Sequence, residues 1–95
     1  MQPNTTTMAK ILVIDDERAI RNTLKDILEF EGYSVDVAEN GRIGLEKALS
    51  TTYDLIFTDI KMPEMDGMEV LQTYRQTAVQ QGNEEAPIVM ITGHG

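Results

Sequence analysis

Two adjacent carboxylates, Asp15 and Asp16, a third at Asp59 and a hydroxyl at Thr92 each follow a short apolar run. The runs are Ile11-Leu12-Val13-Ile14, Leu55-Ile56-Phe57 (leading through Thr58) and Ile88-Val89-Met90-Ile91. If those runs were neighbouring strands of one parallel sheet, the polar residues would meet, because sites in such sheets form beyond the carboxyl ends of the strands. Carboxylates brought together repel: two unit charges about 4 Å apart interact by roughly 4 kcal/mol at an effective dielectric near 20. A proton or a cation must relieve this. The donors are oxygens, and the chain has no cysteine and a single histidine, so Mg²⁺ is the natural cation; it keeps several waters and needs few protein oxygens. Such a site suits phosphoryl transfer. An Asp carboxylate can attack phosphorus and become an aspartyl phosphate, a metal ion can neutralise the developing charge, and a Thr hydroxyl can hydrogen-bond the new phosphate. Asp16, Asp59 and Thr92 make chemical sense in those roles together. Singly each reads otherwise: Asp15 and Asp16 as helix caps, Asp59 as a turn residue, Thr92 as a strand end.

The elements that would position these residues are legible in the apolar spacing. Ile11–Ile14 is continuous rather than alternating, as in a strand buried on both faces. Asp16 could cap the helix that follows, and Glu17 suits the positive end of its dipole. Ile20, Leu24, Ile27 and Leu28 fall on one helical face, and Gly32 ends that helix. Val35, Val37 and Ala38 suggest a second strand, broken by Asn40-Gly41. Ile43, Leu45, Ala48 and Leu49 give a weaker helical pattern through Ser50. Leu55-Ile56-Phe57 is the third strand. Lys61-Met62-Pro63-Glu64-Met65-Asp66-Gly67 is a loop punctuated by Pro63 and Gly67, and Asp66 with Glu69 has capping-box spacing. Met68, Leu71, Tyr74 and Ala78 form the next stripe, a polar connection runs from Gln80 to Glu85, and Ile88–Ile91 is the fourth strand. Strands alternating with helices imply parallel pairing through crossovers, with helices on both faces.

Composition bounds the rest. At 95 residues the chain holds one domain at most. Sixteen acidic against eight basic residues give a net charge of −8, which disfavours direct binding to a nucleic-acid backbone. The absence of cysteine excludes disulfides and thiolate metal sites and fits the cytoplasm. No signal peptide precedes Met8 and no apolar run reaches membrane-spanning length. Residues 1–9 read as a flexible tail. His94 reads as a loop residue, and Met62, Met65 and Met68 as packing and loop residues.

Three stretches carry a family resemblance: Lys10-Ile11-Leu12-Val13-Ile14-Asp15-Asp16-Glu17, the segment from Leu55 through Thr58-Asp59-Ile60-Lys61-Met62-Pro63-Glu64-Met65-Asp66-Gly67, and Ile88-Val89-Met90-Ile91-Thr92-Gly93. In register, they resemble the receiver domains of two-component signalling, over about Lys10 to Gly95. The resemblance implies an α/β, doubly wound, flavodoxin-like parallel sheet. It implies Asp59 as phosphoacceptor, Asp16 as a direct Mg²⁺ ligand, Asp15 acting nearby, the backbone carbonyl of Lys61 as a further ligand and Thr92 as the switch hydroxyl. The donor would be a sensor histidine kinase or phosphotransfer protein, and the protein no enzyme beyond self-phosphorylation and self-dephosphorylation. The ending Thr92-Gly93-His94-Gly95 is similar to the nitrogen-regulator class of transcriptional activators.

Complete receivers continue through another helix, a fifth strand bearing an active-site Lys, and a final helix. The expectation is therefore a receiver over residues 10–95 cut after its fourth strand, with four of five βα units and no output domain. Lys47 and Lys61 do not follow a fifth strand and do not replace that Lys. Two other classes stand beside the phosphoacceptor reading. One is a receiver-like scaffold that binds partners without phosphorylation. The other is a different doubly wound protein, a flavin binder or an aspartate-based phosphatase; Asp59-Ile60-Lys61 lacks the second Asp such a phosphatase needs, and no Gly-rich loop follows the first strand. The fourth strand is expected to lie at a sheet edge and to invite self-association.

Overall fold

The computed structural model describes residues 8–82 and 84–91. Strands and helices alternate in chain order: β1 (Lys10–Ile14), α1 (Arg18–Phe30), β2 (Ser34–Ala38), α2 (Gly41–Ser50), β3 (Leu55–Asp59), α3 (Gly67–Gln81) and β4 (Ile88–Ile91). The strands form one parallel sheet in the order β2-β1-β3-β4. This is the flavodoxin-like α/β arrangement expected. The expected tail, residues 1–9, lies mostly outside the described residues; Ala9 already accepts the Ser34 N–H at 3.0 Å.

Period-two alternation sends each strand's side chains to opposite faces. Leu12, Ile14 and Ile56 pack with Ala48, Val70 and Tyr74, so one face lies beneath α2 and α3. Ile11, Val13 and Val35 pack with Leu24 and Leu28 of α1 on the other face. β1 is the centre of both: Leu12, Val13 and Ile14 are fully buried, each burial contributing roughly 1.5–3 kcal/mol. Its continuous apolar run needs two covering layers and has them.

Two helical stripes depart from the expected faces. On α1, Leu24 and Leu28 turn to the sheet while Ile27 is exposed. A single helix packs on that face among the described residues, and its flank away from β1 and β2 has nothing to cover it. On α3 the inward residues are Gly67, Val70, Tyr74 and Ala78, and Met68 points outward. The helix starts at Gly67, so the inward stripe begins there and reaches Val70 one turn later. Tyr74 also accepts the Ala86 N–H at 2.8 Å, fastening the approach to β4. Among the described residues no helix is long and apolar enough to cross a membrane.

Candidate functional site

The parallel register sets the carboxyl ends of β1 and β3 level, with Ile14 opposite Thr58. Asp15 therefore leaves β1 beside Asp59, the last residue of β3. Asp15, Asp16 and Asp59 each offer a carboxylate oxygen, and these lie within 4.8 Å of one another. Asp15 is 0% and Asp59 1% exposed, whereas Asp16 stands in solvent. The three residues are brought together as their positions after apolar runs imply.

Asp15 is fixed on three sides. Its N–H donates to Ala38 at 3.1 Å, prolonging the β1–β2 ladder. Its Oδ1 accepts the Glu17 N–H at 2.9 Å. Its carbonyl accepts from Arg21 Nη1 at 2.8 Å. Asp15 Oδ2 is buried and, among the described residues, has no hydrogen-bond partner. Burial raises the Asp15 pKa above its ordinary 3.8, and the charges of Asp59, Asp16 and Glu17 raise it further, against the lowering effect of the Glu17 N–H. These hydrogen bonds correct the capping role expected of Asp16. The N-cap of α1 is Glu17, without a side-chain cap, because the carboxylate that turns back onto the helix start is that of Asp15.

The loop after β3 is drawn tightly under the site. The Gly67 N–H donates to Ile60 at 2.9 Å and Ile60 N–H donates to Ile91 at 3.4 Å. A Cβ at Gly67 would collide with the Asp59 carbonyl, so the absence of a side chain lets α3 start against the phosphoacceptor candidate. Asp66 and Glu69 close the expected capping box, with Asp66 Oδ1 accepting the Glu69 N–H at 2.9 Å. Glu64 takes a left-handed backbone, φ 68°. Met62 is buried in the core, Met65 packs against it and Met68 is exposed; packing accounts for the first two. Thr58, buried between the strands, donates to the Asp59 carbonyl at 3.1 Å. Lys61 is exposed in this loop, two residues past Asp59. Lys47 is engaged elsewhere, its Nζ donating to the Val37 carbonyl at 2.6 Å on β2. Thr92, Gly93 and His94 lie outside the described residues.

The donor set fits a hard divalent cation. The converging ligands are all carboxylates, one has a buried oxygen without a partner, and a nearby exposed Asp16 leaves the group open to solvent. Such a cation prefers oxygen ligands and retains waters. A cleft lined by Ala48, Thr51, Tyr74, Ala78 and Glu84, near the carboxyl ends of α2 and α3, contains none of these carboxylates. Arg21 and Gly67 are the site residues that apolar periodicity does not flag. The usable signal for Arg21 is a cation one helical turn beyond Glu17; for Gly67, a glycine placed directly behind a capping Asp.

The family model described as response regulator receiver domain matches residues 11–95. The response regulator ArlR of Staphylococcus saprophyticus is 42% identical over 85 residues, covering 90% of this chain and 36% of its own. The transcriptional regulatory protein ResD of Bacillus subtilis is 43% identical over 90 residues, covering 95% and 35%. The chain thus spans about a third of the length of these curated relatives. Among solved structures, the response regulator TrrA of Thermotoga maritima in complex with Mg(2+)-BeF superposes with a TM-score of 0.80 at 42% identity, over 93% of this chain and 72% of that one. TrrA in complex with the histidine kinase ThkA superposes with a TM-score of 0.76 at 41% identity, with the same coverage. With the sheet order, the acidic cluster and these matches in agreement, the chain belongs to the response-regulator receiver domains.

Proposed function

We propose that the protein is a phosphoaccepting signalling module in which Asp59 takes a phosphoryl group from a phosphohistidine of a sensor kinase or phosphotransfer protein. The observation that carries this reading is the buried Asp59 carboxylate at the end of β3, within 4.8 Å of those of Asp15 and Asp16. The kinase complex and the Mg(2+)-BeF complex of TrrA, a relative 41–42% identical, support it. An Asp59 oxygen attacks phosphorus, an O–P bond forms as the N–P bond breaks, and the electron pair returns to the imidazole nitrogen. Asp16 and Asp15, with Asp59 and the Lys61 carbonyl, would hold Mg²⁺, which when bound offsets the negative charge gathering on the phosphoryl oxygens. Buried Asp15 keeps water from one side, and the Gly67 start of α3 fixes the backbone beneath the nucleophile. The product carries an added charge of about −1.5 to −2, which the Thr92 hydroxyl would follow, altering the surface seen by an output domain. The chemistry is stoichiometric self-modification and self-hydrolysis rather than turnover of a free substrate, and the place of action is the cytoplasm.

The test is to treat the full-length protein with a small acyl phosphate and Mg²⁺ and measure intact mass. One phosphoryl adduct is expected on the wild type and none on Asp59→Asn. An undiminished adduct on Asp59→Asn would overturn the assignment. Mg²⁺ titration separates this reading from a phosphorylation-independent scaffold: binding is expected, and its loss in Asp16→Ala.

A further inference from the structure

Resting on the Mg²⁺ and phosphoacceptor reading of the site, we infer that Arg21 is a positioning residue, whose guanidinium locks the Asp15–Asp16 peptide so that both carboxylates face Asp59. Arg21 sits on the first turn of α1, half-buried. Its Nη1 donates to the main-chain carbonyl of Asp15 at 2.8 Å. That carbonyl belongs to the same rigid peptide plane as the Asp16 N–H. Fixing it sets the plane that carries the Asp16 N–H and Cα, from which the Asp16 side chain leaves the backbone. Two other ties act on Asp15 itself: its N–H donates to the Ala38 carbonyl and its Oδ1 accepts the Glu17 N–H. Neither constrains the peptide that leads into exposed Asp16. The start of α1 is not closed by a side-chain cap onto its first N–H groups, and its first turn carries no acidic residue.

The placement has a consequence of unusual sign. A guanidinium bonded to the Asp15 carbonyl brings positive charge toward a metal ion, so if Arg21 acted only as a charge its removal would tighten Mg²⁺ binding. If Arg21 acts by orienting the ligands, its removal weakens binding, as loss of groups that orient metal ligands does. The inference requires the second outcome. Lysine keeps the charge and a donor on a flexible stem, without the planar fork, and is expected to recover part of the affinity.

The experiment is Mg²⁺ titration of the protein, wild type, Arg21→Ala, Arg21→Lys and Asp16→Ala, by calorimetry and by the amide shifts of Asp16 and Glu17, with urea unfolding of each metal-free protein alongside. Arg21→Ala is expected to bind Mg²⁺ about tenfold more weakly, with Arg21→Lys between it and wild type. The Asp16 amide should shift in the metal-free Arg21→Ala protein, and hydrogen exchange at Glu17 should quicken, while the urea midpoint changes little. Unchanged or tighter binding in Arg21→Ala would overturn the inference. So would a loss of affinity that tracks loss of folded protein. If Asp16→Ala binds Mg²⁺ as wild type does, the metal-site reading itself has failed; if Asp16→Ala loses binding while Arg21→Ala keeps it, the role of Arg21 alone has failed.

Discussion

Asp15 Oδ2 is the least comfortable atom of the site: buried and, among the described residues, without a hydrogen-bond partner, on a carboxylate close to two others. Burial first, and the charges of Asp59, Asp16 and Glu17 after it, disfavour its charged form, which is why the Asp15 pKa stands above its ordinary 3.8. The sign of the pH dependence follows. Between 3.8 and the higher folded value the folded state binds more protons than the unfolded state, so stability falls as pH rises through that window. Metal-free protein is therefore expected to be more stable at the acid end of the window than at neutral pH, as far as Asp15 decides it. Saturating Mg²⁺ should recover the loss near neutrality. Asp15→Asn keeps an oxygen for the Glu17 N–H and replaces the orphan with a donor facing carboxylates. It is expected to raise metal-free stability at pH 7 by roughly 1–3 kcal/mol, the cost of an unsatisfied buried group, and to weaken Mg²⁺ binding. Urea unfolding at several pH values, with and without Mg²⁺, measures both effects; a destabilised Asp15→Asn would contradict the strain described.

At the scale of elements, what the sequence made legible was the part governed by short-range physics. Ile11–Ile14 reads as a doubly covered strand because a continuous apolar run has no exposed face to offer, and Asp66 with Glu69 reads as a cap because its hydrogen bonds are local. The convergence of Asp15, Asp16 and Asp59 was legible too, since strand ends in a parallel sheet share one edge. The helical stripes were less so. Ile27 and Leu28 have equal claims to burial in sequence, and the sheet beneath decides between them; Met68 lost its place to Val70 because the helix starts at Gly67. Contacts between glycine and backbone leave no apolar signature at all. Gly67→Ala tests the most demanding of these. Its Cβ would press on the Asp59 carbonyl, at a cost of about 1–3 kcal/mol as for other overpacked sites, with phosphoacceptance slowed because the nucleophile's backbone moves. Asp66→Ala, one residue away, should cost about 1 kcal/mol through loss of the cap and leave the Asp59 backbone in place. Urea midpoints and acyl-phosphate labelling rates of the two variants should differ in that way; equal labelling rates would remove the close approach of Gly67 from the account.

At the scale of the whole molecule, the two faces of the sheet are unequally covered. Among the described residues, α2 and α3 lie on one face and α1 alone packs on the other. Among the described residues β4 is an outer strand, as is β2 at the other edge, with Val89 exposed and Ile88, Met90 and Ile91 half-buried, and Ile27 is exposed on the α1 side. Each large apolar side chain left in water forgoes roughly 1.5–3 kcal/mol, against a stability of about 5–15 kcal/mol for an ordinary domain. The 95-residue chain is expected to be marginally stable and to self-associate through β4. Light scattering and thermal unfolding at several concentrations would register this. A monomer with a sharp, concentration-independent transition above about 60 °C would contradict it. The strands, the covering helices and the tight loop after β3 nonetheless converge on one carboxylate, and the most direct measurement addresses that group alone. Full-length protein phosphorylated with acyl phosphate and Mg²⁺ is reduced with borohydride, which converts an aspartyl phosphate to homoserine, and its peptides are mapped by mass. The predicted result is homoserine at position 59 and nowhere else. Homoserine at position 15 or 16, or an unmodified Asp59 in protein that carries the phosphoryl group, would contradict the account.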